Sequence, residues 1–106
     1  MRHFTPRQLQ TYLKESSTPP LLLDVREPWE YDIAKITGST LVPMGQIPAA
    51  IQQLKPDQET VVICHHGIRS RQVAMFLERN GFTQVINLTG GVDLWARDVD
   101  LEMATY

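Results

Sequence analysis

The sequence contains a single cysteine, Cys64, among 106 residues. One thiol cannot close an internal disulfide, so the fold does not depend on an oxidising compartment, and any disulfide chemistry needs a thiol from outside the chain. An excess of charge of one sign is also missing, since ten basic and twelve acidic residues leave a net charge of −2. No Lys/Arg block is present to neutralise a run of phosphates, which argues against a nucleic-acid partner. Long hydrophobic runs are absent as well. Segments such as Leu21-Leu22-Leu23 fall far short of a membrane span, and Met1-Arg2-His3-Phe4-Thr5-Pro6 has no signal-peptide core. The expectation is a cytoplasmic protein without a membrane partner. No repeat or low-complexity stretch divides the chain, and its length suits one hydrophobic core, so residues 1–106 are expected to form a single domain.

What is present is a regular alternation of short apolar runs and amphipathic stretches. Thr5-Pro6 reads as an N-cap followed by a first-turn proline, and Leu9, Tyr12 and Leu13 fall at helical spacing behind it. Leu21 to Val25, Ser39 to Val42, Val61 to Cys64 and Val85 to Leu88 are too short for helices and suit strands covered on both faces. Between them, Pro28 opens a short helix, and Ile47, Ala50, Ile51 and Leu54 form a helical stripe. Ser70 to Asn80 restores the helical period with Val73, Ala74, Phe76 and Leu77, and Gly90-Gly91 leads into a helix around Leu94-Trp95. This pattern predicts an α/β fold with a central parallel sheet flanked by helices on both faces. Binding sites in such sheets lie outside the carboxyl ends of the strands, where Asp24-Val25-Arg26, the Cys64 segment and Thr89-Gly90-Gly91 all fall.

Cys64 ends its strand and runs into His65-His66-Gly67-Ile68-Arg69-Ser70. A strand end, a tight loop and a helix N-terminus turn several backbone N–H groups toward one point, and the helix dipole adds positive potential there. Gly67 allows the loop a left-handed residue, Arg69 and Arg71 add fixed charge, and His65 and His66 add charge that depends on pH. Each of these favours a thiolate over a thiol at Cys64.

With these residues in view, the chain resembles the single-domain rhodaneses, the thiosulfate sulfurtransferase family. The resemblance is carried by Leu23-Asp24-Val25-Arg26-Glu27 with Glu30-Tyr31, by Ile36-Thr37-Gly38-Ser39 leading to Val42-Pro43, and by Cys64 to Ser70. It continues through Gly81-Phe82 with Val85 and through Leu88-Thr89-Gly90-Gly91-Val92 with Trp95. It implies a rhodanese-like sheet of about five strands and a ping-pong reaction. In that reaction Cys64 takes a sulfane sulfur from a small anionic donor such as thiosulfate and passes it as a persulfide to a nucleophilic acceptor: cyanide in assay, or a thiol or protein in the cell. By position, His65, His66, Gly67, Ile68 and Arg69 bind the donor, Asp24 and Arg26 brace the loop, and Ser70 supports the thiol. Related phosphatases of the Cdc25 type have one more residue between cysteine and arginine. The four residues between Cys64 and Arg69 make a narrower ring that suits one sulfur atom. Where many family members have Gly-His-Ile-Pro-Gly-Ala, this chain has Ala34-Lys35-Ile36-Thr37-Gly38-Ser39, which leaves the role of Lys35 open between site and solvent.

Plainer readings stand beside these. A phosphatase or arsenate reductase would use the same thiolate, and a non-enzymatic rhodanese-like module would dock a partner without needing Cys64 or Arg69. No cofactor and no metal are expected, because adjacent histidines rarely converge on one ion. Arg26 and Glu27 are readable as a surface pair, Trp29, Tyr31 and Trp95 as packing residues, and Asp98, Asp100 and Glu102 as a solvated tail.

Overall fold

In the computed structural model, which describes residues 1–106, five strands run parallel through the centre of the protein. They are β1 (Arg2–Phe4), β2 (Leu21–Asp24), β3 (Thr40–Leu41), β4 (Thr60–Ile63) and β5 (Val85–Leu88), in the order β1-β5-β4-β2-β3. Parallel neighbours need long crossovers. Helices α1 (Pro6–Glu15), α2 (Pro28–Ile33), α3 (Ile47–Ala50) and α4 (Ile68–Arg79) lie on these crossovers, and α5 (Gly91–Asp98) follows the last strand.

Successive strand residues point to opposite faces, and both faces are covered. Leu22, Val61, Ile63, Ile86 and Leu88 pack with Leu9 of α1 and with Val92 and Trp95 of α5. Leu23, Val62 and Val85 pack with Ile47 of α3 and with Val73, Ala74 and Leu77 of α4. Burial on both sides is why these strands read as unbroken apolar runs. The α1 cap forms as expected: the Gln8 N–H donates to Thr5 Oγ1 at 3.2 Å, and the Thr5 N–H donates to Gln8 Oε1 at 2.8 Å.

Three local features differ from expectation. Arg2-His3-Phe4 has no apolar run, yet it forms a strand because β5 offers an open edge, with Arg2, His3 and Phe4 opposite Ile86, Asn87 and Leu88. The stripe from Ile47 to Leu54 is not one helix; α3 ends at Ala50 and a 3₁₀ turn over Ile51–Gln53 follows it. Trp29 is not a core residue: it is 60% exposed and meets the Tyr106 ring in a T-shaped contact with centroids 5.8 Å apart, whereas Trp95 is buried.

Arg26 is not part of a surface pair with Glu27. Its side chain and that of Asp24 are both at 0% exposure and form an ion pair at the carboxyl end of β2. The guanidinium donates to both Asp24 oxygens at 2.8–3.0 Å, to the carbonyls of Ala34 at 2.6 Å and Glu30 at 3.3 Å, and to the Tyr106 hydroxyl at 2.8 Å. A buried charge deprived of its partner is far costlier than an exposed one. Asp24→Asn is therefore expected to lower the unfolding free energy by about 3–5 kcal/mol, measured by urea denaturation; a loss within the range of an exposed pair would contradict this account.

Candidate active site

Strand β4 delivers Cys64 to the sheet edge at 1% exposure. The chain then turns back over the sulfur. The Gly67 N–H donates to Cys64 Sγ at 3.0 Å, and Gly67 holds φ at 98°, the left-handed value that lets the loop close and α4 begin at the next residue. Helix α4 has no side-chain cap, so the first-turn amides of Ile68, Arg69 and Ser70 lack intrahelical partners and add positive potential at this end. Below the sulfur, the Cys64 thiol faces the Ser70 hydroxyl at 3.3 Å, and that hydroxyl donates to Asn87 Oδ1 at 2.6 Å.

The loop is held from behind by α5. Its first amides take the loop carbonyls: Val92 N–H donates to Cys64 O at 2.9 Å and Asp93 N–H to His65 O at 3.0 Å. In trans peptides this turns the N–H groups of His65 and His66 away from α5. A side chain at Gly91 would place its Cβ 2.3 Å from Cys64 O and 2.4 Å from His65 O. The glycine pair is therefore more than a turn, because Gly91 is the point where α5 and the loop touch backbone to backbone.

Arg69 does not stand free beside the sulfur. Its Nη1 and Nη2 donate to the two carboxylate oxygens of Glu30 at 2.7 and 2.8 Å, and its side chain keeps 34% exposure. Glu30 is fixed in turn: the Glu27 N–H donates to Oε2 at 2.8 Å and the Tyr106 hydroxyl to Oε1 at 3.1 Å. The Arg69 hydrogen bonds outweigh burial and hold the Glu30 carboxyl down to about 2, while Glu30 raises Arg69 above the ordinary arginine range. Tyr106 links this pair to Arg26, so Asp24, Arg26, Tyr106, Glu30 and Arg69 form one continuous polar chain along the sheet edge.

His65 lies between two rings, stacked on Tyr106 at 3.9 Å and 11° and against His66 at 3.9 Å and 31°. Its Nε2 is buried without a partner. Burial first, and then the neighbouring His66, push its pKa down, so His65 is neutral and adds no positive charge near neutral pH. His66 is exposed, with Nε2 4.0 Å from the Asp93 carboxylate. Ligand atoms of His65, His66 and Asp93 lie within 4.8 Å of one another. The two imidazole planes are inclined at 31° with their ring centres 3.9 Å apart. Arg71 is exposed on the wall of a 610 Å³ groove beside the loop, shared with His3, Asn87 and Thr89. Lys35 is exposed and lies 4.9 Å from the centre of the Tyr31 ring.

The structure thus brings Cys64, Gly67 and Ser70 together, places Arg69 alongside them through Glu30, and puts Asp24 and Arg26 underneath. Sequence reasoning assigned no role to Glu30, Tyr106, Asn87 or His3. Glu30 had a signal, since it is the N3 residue of the box that starts α2 behind Glu27-Pro28. Tyr106 had none: Asp98, Asp100 and Glu102 are indeed exposed, but the chain beyond them returns to the site.

A buried thiol on a tight loop at the carboxyl edge of a parallel α/β sheet, with the Gly67 N–H turned onto the sulfur, defines the class of domain. Comparison with known proteins agrees: the model of the rhodanese-like domain matches residues 5–98, and the chain belongs to that family. It is 40% identical over 89 residues to "Rhodanese-like/PpiC domain-containing protein 12, chloroplastic" of Arabidopsis thaliana, covering 80% of this chain but 30% of that protein. It is 36% identical over 77 residues to a protein named "Sulfurtransferase" from Allochromatium vinosum, covering 73% of this chain and 72% of that one. The crystal structure of a rhodanese-like domain protein from Staphylococcus aureus superposes with a TM-score of 0.83 at 32% identity, over 90% of this chain and 91% of the other.

Because the Glu30 carboxyl is held below its ordinary value near 4.5, the stability it contributes is complete above that value and is lost as pH falls through about 2. Denaturation curves across this window should show Glu30→Gln less stable than wild type near neutrality and less sensitive to acid; an unchanged acid slope would contradict the assignment.

Proposed function

We propose that this protein is a sulfurtransferase that carries sulfane sulfur on Cys64. The observation that carries the reading is the contact between the Gly67 N–H and Cys64 Sγ at 3.0 Å, inside a loop with four residues between cysteine and arginine. An amide aimed at sulfur stabilises a thiolate, and the same loop suits the anionic persulfide that replaces it. In the first half-reaction the thiolate attacks the outer sulfur of thiosulfate; the S–S bond of the donor breaks and its electron pair leaves with sulfite. In the second, a nucleophile attacks the outer persulfide sulfur, the new S–S bond breaks, and its electrons return to Cys64 as thiolate. Cyanide then leaves as thiocyanate. Splitting the transfer in this way replaces one difficult step by two easier ones. Burial of Cys64 keeps bulk water off the persulfide between the halves.

Residues 1–106 work as one domain in this reading, in a reducing compartment such as the cytoplasm. The donor is a small anion and the acceptor a low-molecular-weight or protein thiol. Support for sulfur transfer comes from family membership and from the name of the Allochromatium vinosum relative. The loop is too short for the wider cradle that a phosphate needs. Arg69 acts chiefly as a fixed strut, because its charge is matched by Glu30.

Wild type should form thiocyanate from thiosulfate and cyanide, and Cys64→Ser should form none while keeping its fold; wild type without turnover would sink the proposal. Arg69→Ala should lose at least tenfold in kcat/KM for thiosulfate through loosening of the loop, and Arg69→Lys should recover little, because a single ammonium cannot repeat the two-pronged Glu30 contact. Full rescue by lysine would show that charge alone matters.

A further inference from the structure

Asn87 sits in β5 at 4% exposure, and its side-chain amide touches two polar groups. On one side Oδ1 accepts the Ser70 hydroxyl at 2.6 Å, and on the other Nδ2 lies 3.4 Å from His3 Nδ1. His3 and Asn87 are register partners in β1 and β5, which puts their side chains on the same face of the sheet. Ser70 in turn lies 3.3 Å from Cys64 Sγ. The four side chains make an unbroken line from a sealed sulfur to the 610 Å³ groove that His3 and Asn87 line.

Counting protons along this line separates two states. A hydroxyl has one proton, and a carboxamide has one donating end and one accepting end. With Oδ1 facing Ser70, the hydroxyl proton is committed to Asn87, and the sulfur is satisfied as a thiol that gives its own proton to Ser70 Oγ. With the amide turned over, Nδ2 donates to Ser70, whose proton is then free to point at the sulfur and hold a thiolate. The turned amide also presents Oδ1 to His3, which can donate to it when Nδ1 carries a proton, as it always does in the imidazolium.

We propose that Asn87 and His3 are positioning residues for Cys64: protonation of His3 turns the Asn87 amide, and Ser70 then donates to the thiolate instead of accepting from the thiol. Loss of that proton returns the amide to the orientation seen in the structure. The inference rests on Cys64 being the reacting thiol, but it concerns ionisation and not sulfur transfer. The other charges around the line are accounted for. Near the sulfur, Arg69 is tied to Glu30, His65 is neutral and His66 faces Asp93. Around His3, Arg71 and His66 share the groove, Arg2 is paired with Glu59, and the terminal amine is paired with Glu78.

The test is the rate of Cys64 alkylation by iodoacetamide as a function of pH, with ultraviolet thiolate absorbance alongside; a single cysteine makes both report this site alone. Wild type should show a profile broader than a one-proton titration, because loss of the His3 proton opposes thiolate formation. His3→Gln, a change at an exposed edge residue, should restore a one-proton profile and lower the rate on the acid side several-fold. Asn87→Asp can only accept from Ser70 and should lower the rate at about pH 6.5 roughly tenfold. In a Ser70→Ala background, His3→Gln should have no further effect, since the link to sulfur is already cut. A His3→Gln profile that superimposes on wild type overturns the proposal, as does a His3→Gln effect that persists in Ser70→Ala. If Asn87→Asp fails to fold, the His3 and Ser70 cycle decides by itself.

Discussion

The structure depends most on the buried guanidinium of Arg26. A permanent positive charge at 0% exposure is tolerated only where every donor finds an acceptor, and its partners come from widely separated parts of the chain. Asp24 supplies the counter-charge from the same strand end, Ala34 and Glu30 supply carbonyls from the segment that α2 begins, and Tyr106 supplies a hydroxyl from the far end of the sequence. Satisfying one charge thus fixes where α2 sits and where the last residues lie. It also fixes the backbone of Glu30, whose carboxylate clamps Arg69 at the start of α4.

From that clamp the constraint passes to the sulfur. Arg69 anchors one end of the loop, and α5 anchors the other through the carbonyls of Cys64 and His65. Between these anchors the Gly67 amide has little choice but to face Sγ. Much of what sequence composition offers as positive charge around the thiol is therefore spent elsewhere: Arg69 is neutralised by Glu30, His65 is neutral through burial, and Arg71 looks into the groove. What remains at the sulfur is mainly backbone, in the form of amides and the N-terminal end of α4. Backbone dipoles need no counter-ion and no side-chain ordering, which suits the alternation of thiolate and persulfide that the proposed sulfur transfer requires.

The strands β2, β4 and β5 were readable because burial on both faces leaves an unambiguous apolar run, and α4 because its core positions keep the helical period. Strand β1 was not readable, since its three residues hold their place through pairing with β5 and not through any pattern of their own. Cys64, Gly67 and the glycines before α5 were readable because tight backbone turns leave a local mark. Glu30, Asn87, His3 and Tyr106 act across the fold, at separations in sequence that leave no periodic trace. Trp29 was misread for a related reason: a large aromatic is usually buried, yet here it caps the outside of a cluster whose interior is filled by Arg26 and Tyr106.

The central claim is that the loop exists to hold sulfur on Cys64. Intact-mass spectrometry after incubation with thiosulfate tests it most directly, with no acceptor needed and a single thiol to carry the label. The account predicts one added sulfur atom on wild type, localised to Cys64, absent in Cys64→Ser and removed by cyanide. A wild-type mass left unchanged by thiosulfate and by other sulfane-sulfur donors would contradict it.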